Sequence, residues 1–149
     1  MTEKYELVAA ALPPSHSLFP KSEFPSSIAF RHDLSGKVVE VVDFSSSSSI
    51  MINTCGRSDF QYWTIAPTLE GTGMALLGEL NKIVTVAETR FRYISKFGSD
   101  CVISLVGAPG EKVEVSVYDT GEKTAKVVTC NMSSSGTATL HVPRLWCSY

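Results

Sequence analysis

Charge is scarce in this chain of 149 residues. Charged side chains make up 19% of it, below the ~25% that is usual for globular domains, and 13 Lys and Arg oppose 15 Asp and Glu. No basic stripe is present, so we expect no nucleic acid and no anionic membrane among its partners. The apolar fraction of 44% is ordinary, so the low charge does not indicate global disorder.

Long apolar runs are also missing. The longest, residues 7–12, ends at Pro13 and falls far short of the ~20 residues of a membrane span. Glu3, Lys4 and Glu6 precede this run, and no small-residue cleavage site follows it, which does not match a signal peptide. We therefore expect a cytoplasmic protein that does not cross a membrane.

The four cysteines lack close spacing. Cys55, Cys101, Cys130 and Cys147 form no C-x-x-C pair, which argues against zinc and thioredoxin-type sites. Two disulfides are possible in number, but without a secretory signal we expect thiols. We predict no metal site and no cofactor.

Long helical periodicity is absent, whereas strand alternation is frequent. Val113, Val115 and Val117 lie on one face of a predicted strand at 113–119, and residues 137–142 alternate in the same way. Residues 101–106 are apolar on both faces except at Ser104, as in a central strand. Further strands are predicted at residues 5–10, 27–31, 37–43, 49–53, 60–66, 74–77, 89–95 and 123–129.

Turn signals separate these runs, and their spacing favours an all-β fold, an antiparallel β-sandwich. Residues 79–87 are predicted to be a short helix or an irregular crossing. We expect a single domain over residues 1–149: a first strand and a Pro- and Ser-rich connector at 1–26, the main sandwich at 27–143, and a tail at 144–149. The five serines at 45–49 predict a loop.

No motif supplies an evident catalytic residue. Residues 107–112 resemble a phosphate loop, but no Ser or Thr follows Lys112, so a turn between strands is expected. The spacing favours no pair among Asp59, Glu70, Glu79 and Glu88, and these carboxylates are expected to be solvated. The three histidines stand far apart in the sequence.

Tyr62 and Trp63 are the candidate binding residues. Adjacent aromatic side chains on a strand of a sandwich can form a platform on which a sugar ring stacks. The alternative is that these two side chains belong to the core or to an interface.

Five segments, in order, resemble the C-terminal region of plant raffinose synthases, stachyose synthases and seed imbibition proteins. The first two are FRHDLSGKVV at 30–39, similar to YRHRSGEVV in the family, and DFQYWTIAP at 59–67, in the place of YELFHVCPL. The others are MALLGELNK at 74–82, similar to FAPIGLVDMFN; SLVGAPG at 104–110, similar to a strand carrying VRGCG; and TATLHVP at 137–143, similar to VTLNLP. The chain lacks the family's SGGAI run after Lys82 and has no clear counterpart of YSSQRP, so the branch of the family stays open.

Members of this family resemble family-36-type glycoside hydrolases, whose two catalytic aspartates lie on a (β/α)8 barrel that a β-sandwich follows. The resemblance implies that this chain is that sandwich, an accessory domain without catalytic residues. Its partner would be the catalytic barrel of a galactosyltransferase or α-galactosidase. The alternatives are a stand-alone carbohydrate-binding module for galactosyl oligosaccharides, or a small protein-interaction domain.

Overall fold

The computed structural model describes residues 4–8, 26–33, 35–44, 49–53 and 62–149 of the chain. Within these ranges it contains twelve strands and no helix: β1 Lys4–Val8, β2 Ser27–His32, β3 Val38–Phe44, β4 Ser49–Asn53, β5 Thr64–Leu69, β6 Met74–Gly78, β7 Phe91–Phe97, β8 Asp100–Val106, β9 Lys112–Asp119, β10 Thr124–Asn131, β11 Thr137–Val142 and β12 Trp146–Ser148.

The strands form two sheets and a separate ribbon. The larger sheet has the order β10-β9-β6-β5-β2-β3, the smaller has the order β12-β11-β8-β7, and β1 pairs with β4. Every pairing between these strands is antiparallel. The predicted all-β class and the antiparallel sandwich are confirmed.

The main core lies between the two sheets. Val113, Val115 and Val117 of β9 are fully buried, as their alternation predicts, and they belong to one apolar cluster with Ile103 and Leu105 of β8. Full burial of each such side chain stabilises the fold by about 1.5–3 kcal/mol. This cluster therefore holds the two sheets together.

A second core lies on the other face of the larger sheet, which curls into a half-barrel. Ile28 and Phe30 of β2 are buried there with Leu77 of β6, and Leu80 joins them from the segment after β6. Strand β6 is buried at every position because both of its faces are covered, which explains its unbroken apolar sequence.

A bulge alters the alternation expected in β3. Sequence alternation predicts that Val39 and Val41 share one face, with Val38 on the other. Arg31 pairs with Glu40 and His32 with Val38, so Val39 is an extra residue in the ladder. As a result, Val38 and Val41 pack against the same cluster, and Val39 is exposed.

An irregular crossing, residues 79–90, connects β6 with β7 across the two sheets. It consists of turns and bends, which confirms the irregular form of the predicted crossing. Gly78 begins it with a φ of +84°, and a Cβ there would overlap the backbone carbonyl of Thr85. The amide of Glu79 donates a hydrogen bond of 2.8 Å to that same carbonyl. The close approach requires glycine at position 78.

A disulfide joins Cys130 of β10 to Cys147 of β12. The expectation of thiols is therefore wrong for these two residues. Their 17-residue separation gave no sign that the sandwich brings their strands together. Cys101 is a buried free thiol, and Cys55 lies outside the described residues.

Most predicted strands are present, with shifted ends. The strand predicted at 60–66 is found at Thr64–Leu69, and β12 forms within the predicted tail, where no strand was expected. Of the loop predicted at 45–49, Ser49 begins β4 and residues 45–48 lie outside the described residues, as do residues 9–25 of the connector.

Candidate functional site

A cleft of about 610 Å³ lies where the crossing meets the turn between β8 and β9. The crossing contributes six residues, the last of them Arg90 directly before β7, and the other lining residues belong to the β8–β9 turn and its flanks. The lining consists of Glu79, Lys82, Val84, Ala87, Thr89, Arg90, Val106, Gly107, Ala108 and Glu111.

Arg90 is the centre of the polar contacts in this cleft. Its Nε donates to Glu79 Oε2 at 3.1 Å, and its Nη1 donates to the Val106 carbonyl at 2.9 Å. Nη1 and Nη2 also donate to Glu111 Oε2 and Oε1, at 3.0 and 2.6 Å. The side chains of Arg90 and Glu79 are only 11% and 7% exposed. Lys82 Nζ approaches the other Glu79 oxygen at 3.0 Å.

The backbone of the β8–β9 turn is shaped around this network. A Cβ at Gly107 would overlap both Arg90 Nη1 and Glu111 Oε2, so only glycine leaves room for the pair. The amide of Ala108 donates to Glu111 Oε2 at 2.8 Å, and the amide of Glu111 donates to the Ala108 carbonyl at 3.0 Å. Residues 107–111 thus form the turn expected at 107–112, up to the start of β9 at Lys112, and the Ala108 amide helps to hold the Glu111 carboxylate.

The electrostatics follow from this geometry. Hydrogen bonds from Arg90 and from the Ala108 amide lower the pKa of Glu111 to about 2. The hydrogen bond to Glu111, together with the charge of Glu79, raises the pKa of Arg90 above its usual value despite its burial. Arg90 and Glu111 are therefore both charged at neutral pH.

These ion pairs have a structural role. A carboxylate whose pKa is about 2 is not a proton donor at neutral pH, and both oxygens of Glu111 already accept hydrogen bonds from Arg90. The network joins the crossing to the β8–β9 turn through Glu79, Arg90 and Glu111. Its chemical role is to fix the relative position of these two segments.

The carboxylates named from the sequence are dispersed. Glu70 is exposed and pairs with Lys96 at 2.7 Å, and Glu88 is exposed too, but Glu79 is buried, which corrects the expectation that it is solvated. The sequence did not predict this burial, because Arg90 is eleven residues from Glu79 and the path of the crossing brings the two side chains together. Asp59 lies outside the described residues.

Tyr62 and Trp63 lie directly before β5, not within a strand. Tyr62 is 49% exposed. Trp63 is partly buried against the cluster of Ala29, Phe44 and Ile50, and the Arg31 guanidinium carbon lies 5.2 Å from the centre of its ring. The two neighbours thus occupy different environments, one exposed and one partly covered.

The two histidines inside the described ranges are far apart in the fold. His32 ends β2, on the curled larger sheet, and its ring centre is 6.0 Å from that of Phe30. His141 lies on β11 of the smaller sheet. Within the same ranges, no group of three or more His, Cys, Asp or Glu is placed to hold a metal ion.

An aromatic surface that the sequence did not indicate covers the solvent side of the smaller sheet. We call it the outer face, and it consists of Tyr93, Ser95, Phe97, Val102, Ser104, Thr139, His141, Trp146 and Ser148. Trp146 pairs with His141 in the β11–β12 ladder, and their rings stack in parallel with centres 4.1 Å apart. His141 Nε2 also lies 2.9 Å from the hydroxyl of Ser148.

One sequence signal could have located part of this face. The alternation at 137–142 places His141 opposite the buried Leu140 and Val142, on the solvent side. The missing information was that residues 143–145 form a turn, closed by the Leu145 amide donating to the His141 carbonyl at 2.8 Å. That turn brings Trp146 alongside His141.

Comparison with protein-family models, with curated proteins and with solved structures found no match to this chain. The resemblance of the five segments to raffinose and stachyose synthases therefore stays a prediction. In the part of the chain that the structure describes, no helix has the length and apolar character needed to span a membrane.

Proposed function

We propose that this chain is the accessory β-sandwich of a raffinose- or stachyose-synthase-like galactosyltransferase or α-galactosidase. Its role is to pack on a (β/α)8 catalytic barrel elsewhere in a longer polypeptide. The observation that carries the proposal is that the resembling segments, so far as they are described, fall on successive strands and turns of one sandwich.

The first segment illustrates this correspondence. Residues 30–39 run from β2 into β3 through a tight turn, in which Asp33 Oδ1 accepts hydrogen bonds from the amides of Ser35 and Lys37 at 2.9 and 3.0 Å. Gly36 has a φ of +81°, which suits a glycine in the family's RSG sequence. The hydrogen bonds and backbone angle of this turn therefore explain why the motif carries short polar residues and a glycine.

The remaining segments follow in the same manner. Residues 64–67 begin β5, residues 74–78 are β6, and the segment at 104–110 is the end of β8 with the turn that holds Glu111. The last segment, at 137–143, is β11 with the residue that follows it. The described parts of the five segments thus fall on strands and turns of a single fold in chain order, which supports the proposal.

The cleft supports an accessory role. Its two buried or partly buried carboxylates are committed to Arg90, and the pKa of Glu111 is held at about 2. General acid catalysis of glycosidic bond cleavage needs a carboxyl group whose pKa is raised, the opposite of this environment. The network stabilises the crossing instead.

The crossing also exposes two adjacent apolar side chains. Ile83 and Val84 are adjacent and are 82% and 62% exposed, next to the rigid Glu79–Arg90–Glu111 network. Neighbouring exposed aliphatic residues on a fixed segment are typical of a contact with another domain. We infer that this tip of the crossing contacts the barrel.

The size of the native polypeptide tests the proposal. An antibody raised against this chain should detect a band several times larger than 16.2 kDa in the source cell. Peptides sequenced from that band should include segments of a (β/α)8 barrel. A native product of 16.2 kDa would contradict the proposal, as would turnover of galactinol, raffinose or an aryl α-galactoside that copurifies with this chain alone.

A further inference from the structure

We propose that the outer face of the smaller sheet binds neutral oligosaccharides by stacking sugar rings on Trp146 and Tyr93. This site is distinct from Tyr62 and Trp63, the pair to which the sequence pointed. The proposal rests on the placement of the rings, on the hydroxyls between them and on the absence of charge in the two rows that connect them.

The ring of Trp146 is held in one orientation and is still accessible. His141 covers one face of the indole at 4.1 Å with an interplanar angle of 5°, yet the residue is 46% exposed. The face of the indole opposite His141 is the one on which we expect a sugar ring to stack. The hydrogen bond between His141 and Ser148 fixes the imidazole, so little ordering of Trp146 is required when a ring stacks on it.

Tyr93 and Phe97 provide aromatic surface at the opposite edge of the sheet. Both side chains are more than half exposed on β7, where the register places them one row on either side of Ser95. Three strand-to-strand steps separate β7 from β12, a distance of roughly 14 Å. This separation suits a chain of several sugar rings better than a single ring.

Hydroxyl groups occupy the sheet between the two aromatic edges. One row of the ladder runs from Tyr93 through Ser104 and Thr139 to Ser148. Hydroxyls both donate and accept hydrogen bonds, as the hydroxyls of a sugar do. Aromatic faces combined with a few hydroxyls can bind both sides of a pyranose, the apolar C–H face and the polar rim.

The charge of this face favours a neutral ligand. The row from Tyr93 to Ser148, and the next row from Ser95 through Val102 and His141 to Trp146, contain no acidic residue and no Lys or Arg. In the next row, Asp100 lies opposite Phe97 at the end of the sheet, and its charge is paired with that of Arg144. A nucleic acid or phosphopeptide would find no counter-charge in these rows.

Galactosyl oligosaccharides are the first ligands to test, a choice that rests on the proposed function. The measurement is tryptophan fluorescence of the full chain, which has two tryptophans. In the variant Trp63→Phe, Trp146 is the single indole, so a saturable change on titration with raffinose or stachyose reports this face. Binding is expected with a Kd on the order of 1 mM, since the face is open.

Substitutions on the face distinguish a binding role from a folding role. Trp146→Ala and Tyr93→Ala, on strands at opposite edges, should each weaken calorimetric binding roughly tenfold without changing the circular dichroism spectrum. Tyr62→Ala is the matched control, because Tyr62 is an exposed aromatic residue next to β5 of the larger sheet. This variant should bind the sugar as the wild type does. If Trp146→Ala fails to fold, Tyr93→Ala carries the test alone.

The outcomes separate the two proposals. Binding of cellotetraose or maltotetraose but not of stachyose would support the outer-face site and count against the galactosyl assignment. No heat or fluorescence change with any of these sugars at tens of times the expected Kd would overturn the site, and the accessory-domain proposal would be unaffected. Equal loss of binding in Tyr62→Ala and Trp146→Ala would also overturn it.

Discussion

Arg90 and Glu111 form a bidentate ion pair although 21 residues separate them in the sequence. The pair joins the start of β7 to the turn between β8 and β9, and Glu79 extends it into the crossing. In this sandwich the crossing is an irregular segment whose local backbone hydrogen bonds close only short turns, at 79–82 and 87–91. Side-chain contacts of this kind therefore take the place of regular backbone structure in holding it.

Removal of the Arg90 charge should destabilise the fold. Arg90→Met leaves Glu79, which is 7% exposed, without its partner at Nε, and we expect a loss of about 3 kcal/mol in the free energy of unfolding. Urea denaturation measures this. Arg92→Met, at an exposed position of β7 two residues further on, is the control and should change stability by no more than about 0.5 kcal/mol. If the two variants changed the free energy of unfolding equally, the Glu79–Arg90–Glu111 network would not contribute to stability.

The contribution of Glu111 should depend on pH. The pKa of Glu111 is about 2 in the folded chain, below its ordinary value of 4.5, so ionised Glu111 stabilises the fold above pH 4.5. That stability is lost as the pH falls from 4.5 towards 2. Glu111→Gln should therefore be less stable than the wild type at pH 7, and the difference should shrink over this range. A difference that stays constant between pH 7 and pH 2.5 would contradict the assignment.

Gly107 should tolerate no side chain. Gly107→Ala places a Cβ where Arg90 Nη1 and Glu111 Oε2 lie, and we expect a loss of about 2 kcal/mol from this overlap. Gly121→Ala is the matched control, because its backbone is likewise outside the left-handed region and its Cβ would meet only the Asp119 carboxylate at 3.4 Å. Thermal unfolding of both variants, side by side, provides the comparison.

Alanine substitutions at Gly78 and Gly110 distinguish the effect of backbone strain on stability from the effect of steric overlap. Both have positive φ, +84° and +74°, so alanine costs each of them about 1–2 kcal/mol. At Gly110 a Cβ would meet none of the described residues within 4 Å, whereas at Gly78 it would overlap the Thr85 carbonyl. We expect Gly78→Ala to be less stable than Gly110→Ala by a further 1–3 kcal/mol, roughly. Similar melting temperatures for the two variants would show that the crossing can move aside.

Much of the fold is readable from local pattern. Val113, Val115 and Val117 alternate with polar neighbours, and the alternation alone predicts both the strand and its buried face. The glycine and proline turns between the strands set most boundaries in the same way. These predictions succeed because side-chain direction in a strand has a period of two, which is a property of neighbouring residues.

The candidate sites could not be predicted from local sequence patterns. The pair of Trp146 with His141, the clamp of Arg90 with Glu79, and the disulfide of Cys130 with Cys147 each join residues from different strands, turns or sheets. Even the strand β12 escaped prediction, since its three residues form a strand only by pairing with β11.

The sequence by itself determined the class of fold, the main strands and the turns, because these depend on hydrophobic alternation and on the backbone freedom of residues such as Gly36. The tertiary structure alone decided which face of the smaller sheet carries aromatic rings and which carboxylates are buried. The physical reason is that register, sheet curling and the path of the crossing set distances between residues remote in the chain, and ion pairing and ring stacking depend on those distances.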